Sequence, residues 1–149
     1  MTNTLKIAVL ALFVGLCAQP AFAQTQPEKN EAKRIEDAKW RSVVMIKYHA
    51  GKMKRAMEIV DEHFRKASAK AGTPLPELEV RMTTGEWDVM VVWLLTGGID
   101  DLNWETSPDN VKFLDALAAQ EGGMDKAKAL REEYNGLISN SQRDIARQR

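Results

Sequence analysis

The chain has 149 residues, of which 21 are basic, 21 are acidic and 44% are hydrophobic. This size and apolar content suit a single globular domain that buries about two thirds of its unfolded surface. Basic and acidic residues are interleaved, which excludes the positively charged surface of a protein that binds nucleic acid or anionic membranes.

The N-terminus has the three parts of an export signal. Lys6 supplies the positive charge, an apolar run covers residues 7–18, and the small residues Ala21 and Ala23 precede the expected cleavage point. The run is shorter than the ~20 residues that span a bilayer. We therefore predict a signal peptide over residues 1–23, cleaved after Ala23, and a periplasmic or secreted product with no membrane segment.

Cys17, the single cysteine, lies in the apolar run and offers an alternative, because cleavage directly before it would give a lipoprotein. Leu16 argues against lipidation, since the residue before a lipidated cysteine is normally small. Cleavage after Ala23 removes Cys17, so we expect a mature chain without disulfides, thiolate metal sites or a cysteine nucleophile.

The first part of the mature chain predicts a linker followed by a strand and a helix. Residues 24–40 are mostly polar and indicate a linker or a weak helix, ahead of a single α+β domain over 41–147. Residues 42–49 are β-branched and aromatic and predict a strand. Residues 52–71 place apolar side chains at the helix period, and Gly72 with the following proline ends the helix.

A hairpin and two helices are predicted next. Residues 77–84 alternate in polarity and 87–95 are apolar almost throughout, which indicates two paired strands joined by a turn at Gly85. Ser107 is a typical N-cap for a helix that ends at Glu121. An apolar stripe over residues 127–145 predicts that the rest of the chain is also helical.

This order is that of a ferredoxin-like βαββα domain with an extra C-terminal helix and an antiparallel sheet. On Lys47-Tyr48-His49, Gly51-Lys52-Met53 and the turn over residues 84–88, the chain resembles exported proteins of the dimeric α/β-barrel superfamily, over residues 43–117. The resemblance implies a homodimer. The resemblance does not decide which activity the chain has, because the superfamily includes monooxygenases, haem-degrading proteins, haem-binding proteins and proteins with no known activity. The chain departs from the pattern in lacking a predicted fourth strand.

One set of side chains is the candidate site. We assume that helices cover Val44, Ile46 and Tyr48 on the first strand and the apolar side of the second strand. The opposite sheet face then carries a mixture of apolar, polar and charged side chains. Its members would lie in a cavity or at a dimer surface. The predicted ligand-binding residues are Lys47, His49, Glu79, Arg81, Trp87 and Trp93. His49 is the candidate acid or base, and Lys47 and Arg81 would hold an anionic group.

Simpler interpretations of the same residues exist. Lys47, Glu79 and Arg81 would also suit a cross-strand charge ladder, and the tryptophans would suit core or interface packing. His49 and His63 lie on different elements and form no metal motif, so we predict no metal. No cofactor is predicted, with haem as the lesser alternative.

The predicted function is that of an exported α+β protein that binds a small molecule at its sheet face or in a dimer cavity. One alternative is a cofactor-free or haem-linked enzyme of the monooxygenase type. The other is a structural dimer without a ligand.

Overall fold

The computed structural model describes residues 31–148. The predicted signal peptide, its cleavage point and the beginning of the predicted linker lie outside the described residues. Residues 31–39 contain neither helix nor strand. Residues Ile35–Arg149 form one compact unit. Within the described part of the chain, no helix has both the length and the apolar character needed to cross a membrane.

The compact unit consists of four strands and a layer of helices. The first helical region is continuous, but a π-helical turn divides it into α1 and α2. A short 3₁₀ helix, Gly98–Asn103, follows the third strand. In chain order the elements are β1 Trp40–Tyr48, α1 Met53–Ile59, the π turn Val60–Phe64, α2 Arg65–Ala71, β2 Leu78–Arg81, β3 Val89–Leu95, α3 Pro108–Glu121, α4 Met124–Leu137 and β4 Ile138–Arg147.

The strands form one antiparallel sheet in the order β2-β3-β1-β4. This is the strand order of a ferredoxin-like βαββαβ unit, except that two consecutive helices, α3 and α4, occupy the place of its second helix. The strand β1 lies at the centre, with Val44 opposite Val91 on one side and Arg143 on the other.

The prediction that the chain remains helical after residue 124 is wrong. The helix α4 ends at Leu137, and β4 pairs with β1 along its length. The apolar residues at 137, 138, 141 and 145 do follow a helical spacing, but Ser139-Asn140-Ser141 are weak helix formers. The backbone hydrogen bonds that residues 138–147 form with the free edge of β1 favour a strand over a helix here. Since β4 is an exposed edge strand, it needs no regular alternation of polarity.

Several predicted boundaries are confirmed. The Ser107 hydroxyl accepts a hydrogen bond from the Asn110 amide at 3.2 Å and caps α3. Gly72 ends α2 in the left-handed conformation, with φ of 66°. The predicted hairpin forms, with both strands shorter than expected. The π turn inside the first helix was not predicted.

Two buried clusters join the helices to each other and to the sheet. The larger cluster lies between the sheet, α1 and α4, and contains Ile46, Tyr48, Ala56, Met57, Val89 and Val91. The smaller cluster lies among α2, α3 and α4 and contains Ala67, Leu117 and Ala127. Tyr134 packs against the larger cluster and Leu130 against the smaller one, so α4 contributes to both.

Candidate functional site: an aromatic cleft between the helices and the sheet

The strand register assigns each side chain to one of two sheet faces. We call the face toward the helices the inner face; it carries Ser42, Val44, Ile46, Tyr48, Glu79, Arg81, Val89, Val91 and Trp93. We call the other the outer face; it carries Arg41, Val43, Met45, Lys47, Leu78, Val80, Met90, Val92 and Leu94. The predicted faces of β1 are therefore confirmed, and the predicted faces of β2 are wrong.

The error on β2 has a physical cause. The sequence places apolar and charged residues alternately on this strand, and we expected the apolar side to face the helices. Instead Glu79 faces inward, where the Arg65 guanidinium of α2 donates a hydrogen bond to its carboxylate at 2.6 Å. This pairing offsets the cost of placing a charge beside the core. Leu78 and Val80 then extend the apolar outer face of β3.

The six predicted ligand-binding residues do not come together. Lys47 is exposed on the outer face, and His49 is exposed just beyond the end of β1. Arg81 is exposed at the end of β2, beside α1, and Trp87 lies in the loop before β3. Of the six, Glu79 and Trp93 line the main cleft of the molecule. The predicted charge ladder is also absent, since Glu79 pairs with Arg65.

That main cleft lies between the inner face and the helices and has a volume of about 880 Å³. Its floor is formed by β1 and β3, including Val44 and Trp93, and one rim by Thr73–Pro76 after α2. Trp104, directly after the 3₁₀ helix, and Asn110, at the start of α3, also line the cleft. A volume of this size lies within the range of about 300–1,000 Å³ that is typical of small-molecule sites.

Four aromatic side chains, three from the helical layer and Tyr48 from β1, form an aromatic wall of the cleft. The Phe64 ring meets Tyr134 edge to face at a centroid distance of 5.3 Å and Phe113 at 5.7 Å. Tyr134 in turn meets Tyr48 at 6.4 Å. Such edge-to-face contacts stabilise a rigid apolar surface by about 0.5–1.5 kcal/mol per pair beyond burial.

The two tyrosine hydroxyls provide a polar point in this wall. The Tyr48 and Tyr134 oxygens lie 3.2 Å apart and share a hydrogen bond. Burial raises the pKa of both phenols, and the hydrogen bond to Tyr134 raises the pKa of Tyr48 further. Both phenols therefore stay neutral near pH 7, and one hydroxyl proton remains free to donate to a ligand or to solvent.

The π turn places two neighbouring side chains on this region. A π turn inserts an extra residue into a helix and changes the direction of its side chains. Phe64, its last residue, joins the aromatic wall. His63 instead contacts the end of α3, where its Nδ1 lies 2.7 Å from the Glu121 carboxylate. This hydrogen bond lowers the pKa of Glu121.

Charged side chains are distributed unevenly around the cleft. Arg65 is satisfied by Glu79 and by Asp61. Arg131 of α4 and Arg143 of β4 lie on the opposite side of the cleft. Within residues 31–148, no groups of three or more His, Cys, Asp or Glu side chains are arranged to hold a metal ion.

Most of the cleft residues were not singled out in the sequence. Tyr48, Phe64 and Tyr134 occupy apolar positions of amphipathic elements, where an aromatic residue normally indicates core. Arg143 was missed because β4 was taken for a helix. Its strand pairing opposite Val44 is what directs it to the inner face.

The fold is similar to that of solved proteins at low sequence identity. No protein-family profile matches the chain, and no curated protein matches its sequence. A NIPSNAP family protein from Agrobacterium tumefaciens is 15% identical, with a TM-score of 0.46 over 73% of this chain and 90% of that one. A second from the same organism, of unknown function, is 12% identical, with a TM-score of 0.48 over 74% and 87%.

An uncharacterized NIPSNAP domain protein from Burkholderia xenovorans is 10% identical, with a TM-score of 0.45 over 72% of this chain and 91% of that one. At this level of identity the likeness carries no information on ligands or activity.

Proposed function

We propose that the chain binds a small, mostly apolar molecule in the cleft between the helices and the inner face of the sheet. The single observation that supports this most strongly is the cleft itself, a space of about 880 Å³ with an aromatic wall. Half-buried Val44 and Trp93 on its floor offer apolar area that a ligand would cover.

The polar groups of the cleft suit orientation of a ligand rather than chemistry on it. The Tyr48 and Tyr134 hydroxyls lie in the wall, and His49, the predicted acid or base, lies outside the lining. A few fixed polar groups in an apolar surface are typical of binding sites. The geometry therefore supports binding over the monooxygenase alternative.

A neutral fluorescent probe tests this proposal. N-phenyl-1-naphthylamine emits strongly in apolar surroundings, and we expect saturable binding to the protein, with energy transfer from Trp93 and Trp104, which both line the cleft. Val44→Trp should fill part of the cleft and weaken probe binding by about tenfold, equivalent to about 1.4 kcal/mol.

The matched control is Val43→Trp, which makes the same substitution on the same strand but on the outer face. It should leave probe binding unchanged. Equal effects of the two variants would contradict binding in the cleft, as would a probe that shows no saturation with the unmodified protein.

A second proposal concerns the outer face, which we propose is a surface for a second copy of the chain, as in a dimeric α/β barrel. Val43, Met45, Met90 and Val92 at its centre are only half-buried, and none belongs to the two core clusters. Leu78 beside them is 47% exposed. A continuous apolar area of this kind is uncommon on a monomer and typical of an interface.

Sedimentation tests the dimer. We expect a homodimer at tens of micromolar, and Met45→Glu should dissociate it because an unpaired charge would be buried at the centre of the interface. Ala129→Glu introduces the same charge on the exposed side of α4, in the helical layer and away from the outer face, and should leave the dimer intact. A monomer before any substitution would refute this proposal without affecting the cleft.

A further proposal concerns the compartment in which the protein acts. We infer that the chain is exported and cleaved after Ala23. The support is the charged start, the apolar run and the small residues at 21 and 23. The mass of the protein purified from its native host tests this. It should correspond to a chain that begins at Gln24, and a lipid attached to Cys17 would instead establish the lipoprotein alternative.

A further inference from the structure

The polar groups that line the cleft differ in whether they have a partner in the protein. Arg65 is paired with Glu79, and the two tyrosine hydroxyls are paired with each other. Within residues 31–148, neither the Arg131 guanidinium nor the Arg143 guanidinium has a hydrogen bond or an ion pair. The cleft therefore carries two guanidinium groups that this part of the chain does not neutralise.

The two arginines share one wall of the cleft. Arg131 is half-buried on α4, one turn before Tyr134. Arg143 lies on β4, opposite Val44 and on the inner face. Since β4 directly follows α4, the chain returns along the same side of the cleft, and Ser141 lies on this wall as a neutral hydrogen-bonding group.

Acidic groups from the 3₁₀ helix and the start of α3 also line the cleft and form its acidic wall. Asp101 of the 3₁₀ helix accepts a hydrogen bond from the Gly97 amide at 2.9 Å, and Asp109 of α3 lies 3.3 Å from Lys112. A ligand with one negative charge would be attracted to the arginine wall. A second negative charge would be opposed by Asp101, which has no ion pair in the described part of the chain, whereas the charge of Asp109 is offset by Lys112. This distribution favours a monoanion with an apolar body.

We infer that the ligand of the cleft is an amphipathic carboxylate, whose head is held by Arg131 and Arg143 and whose apolar part lies on Trp93 and the aromatic wall. Guanidinium groups bind carboxylates through two parallel hydrogen bonds, which are stronger than neutral ones. The inference rests on the proposed function of the cleft and specifies its ligand class.

A series of ligands with one alkyl chain and different heads tests the inference. Decanoate, decanol, decylamine and decyl phosphate would each compete with N-phenyl-1-naphthylamine for the protein. We expect decanoate to bind at least about tenfold more tightly than decanol, since charge-assisted hydrogen bonds contribute more than neutral ones. Decylamine should bind most weakly, and decyl phosphate, which carries nearly two charges, more weakly than decanoate.

Substitutions locate the head group. Arg131→Gln and Arg143→Gln should each reduce the preference for decanoate over decanol, and the double variant should abolish it while decanol affinity stays unchanged. Arg131→Lys should keep part of the preference, because lysine retains the charge but not the paired hydrogen bonds. Arg81→Gln, which removes an exposed arginine outside the cleft lining, is the control and should have no effect.

The outcomes separate the two proposals. Equal affinities for decanoate and decanol, or a preference that survives the double arginine variant, would overturn the carboxylate inference while probe binding still supports the cleft. Tighter binding of decyl phosphate would overturn the carboxylate class in favour of a phosphate head. Failure of the probe and of all four alkyl compounds to bind would overturn the proposed function together with the inference.

Discussion

The two ends of the inner sheet face differ in how completely the helices cover them. At one end Ile46 is 8%, Tyr48 4% and Val89 1% exposed, because α1 and α4 pack directly on them. At the other end Val44 and Trp93 lie on the same two strands and remain half-buried. The first is the closed end of the inner face and the second is its open end.

The difference shows that the composition of the strands does not determine the site. Both ends carry apolar residues of β1 and β3 on the inner face. What differs is the helical layer: Tyr134 and Leu137 of α4 pack at the closed end, while the open end faces the start of α3. The cleft is the space between the sheet and the helices where this cover is incomplete.

The largest expected effect is a loss of stability at the closed end. Ile46→Ala removes buried methyl groups from the larger cluster and should lower the free energy of unfolding by about 2–4 kcal/mol, because the tightly packed surroundings relax only partly. Urea denaturation measures this change.

The matched substitution at the open end is Val44→Ala, on the same strand and the same face. It should cost about 1 kcal/mol or less, since Val44 is only partly buried and loses fewer methyl groups. A cost equal to that of Ile46→Ala would mean that the open end is packed as densely as the closed end, and the cleft would lose its support.

The second-largest expected loss of stability concerns Tyr48 and Tyr134, whose hydroxyls share a hydrogen bond in the aromatic wall of the cleft. Tyr48→Phe should lower the free energy of unfolding by about 1–2 kcal/mol, because the Tyr134 hydroxyl then lacks its partner in a largely buried position. The double variant with Tyr134→Phe should cost less than the sum of the single variants, since both polar groups are then removed.

The same pair predicts a dependence on alkaline pH. A raised pKa means that the folded state holds the phenolic proton more tightly than the unfolded state does. The stability contribution is therefore fully present below the ordinary pKa of 10.0 and declines as the pH rises above it. Tyr48→Phe should reduce this decline, and an unchanged alkaline profile would contradict the buried position of Tyr48.

The sequence predicted features that depend on neighbouring residues better than it predicted the cleft. The inward side of β1, the helix cap at Ser107 and the end of α2 at Gly72 follow from local periodicity and capping, and all three are confirmed. Such features depend on neighbouring residues.

The open end depends on contacts between distant parts of the chain. The inward direction of Glu79 requires Arg65, fourteen positions earlier. Arg143 reaches the cleft only because β4 pairs with β1, about a hundred residues before it. Neither contact leaves a local pattern in the sequence, so the predicted set of Lys47, His49 and Arg81 does not include residues that line the cleft.

The smallest expected effect concerns the contact between the π turn and α3. The His63 ring and the Glu121 carboxylate are both partly buried, and the hydrogen bond between them is the main cause of the lowered pKa of Glu121. Glu121→Gln should lower the free energy of unfolding at pH 6 by about 1 kcal/mol. The effect is small because both side chains retain some contact with solvent.

The sign of the pH dependence distinguishes this contact from simple packing. A lowered pKa means that the folded state favours the charged carboxylate, so its contribution is present above the ordinary pKa of 4.5 and is lost as the pH falls through the folded value. Glu121→Gln and His63→Gln should therefore both flatten the loss of stability between about pH 5 and pH 3. Glu62→Gln, on the exposed side of the same π turn, is the control and should leave the profile unchanged. An acid profile that differs from the unmodified protein only in Glu121→Gln would mean that His63 does not stabilise the carboxylate. The π turn would then be held against α3 by the packing of Phe64 on Phe113 and by the Gln120 side chain, which donates a hydrogen bond to the His63 carbonyl.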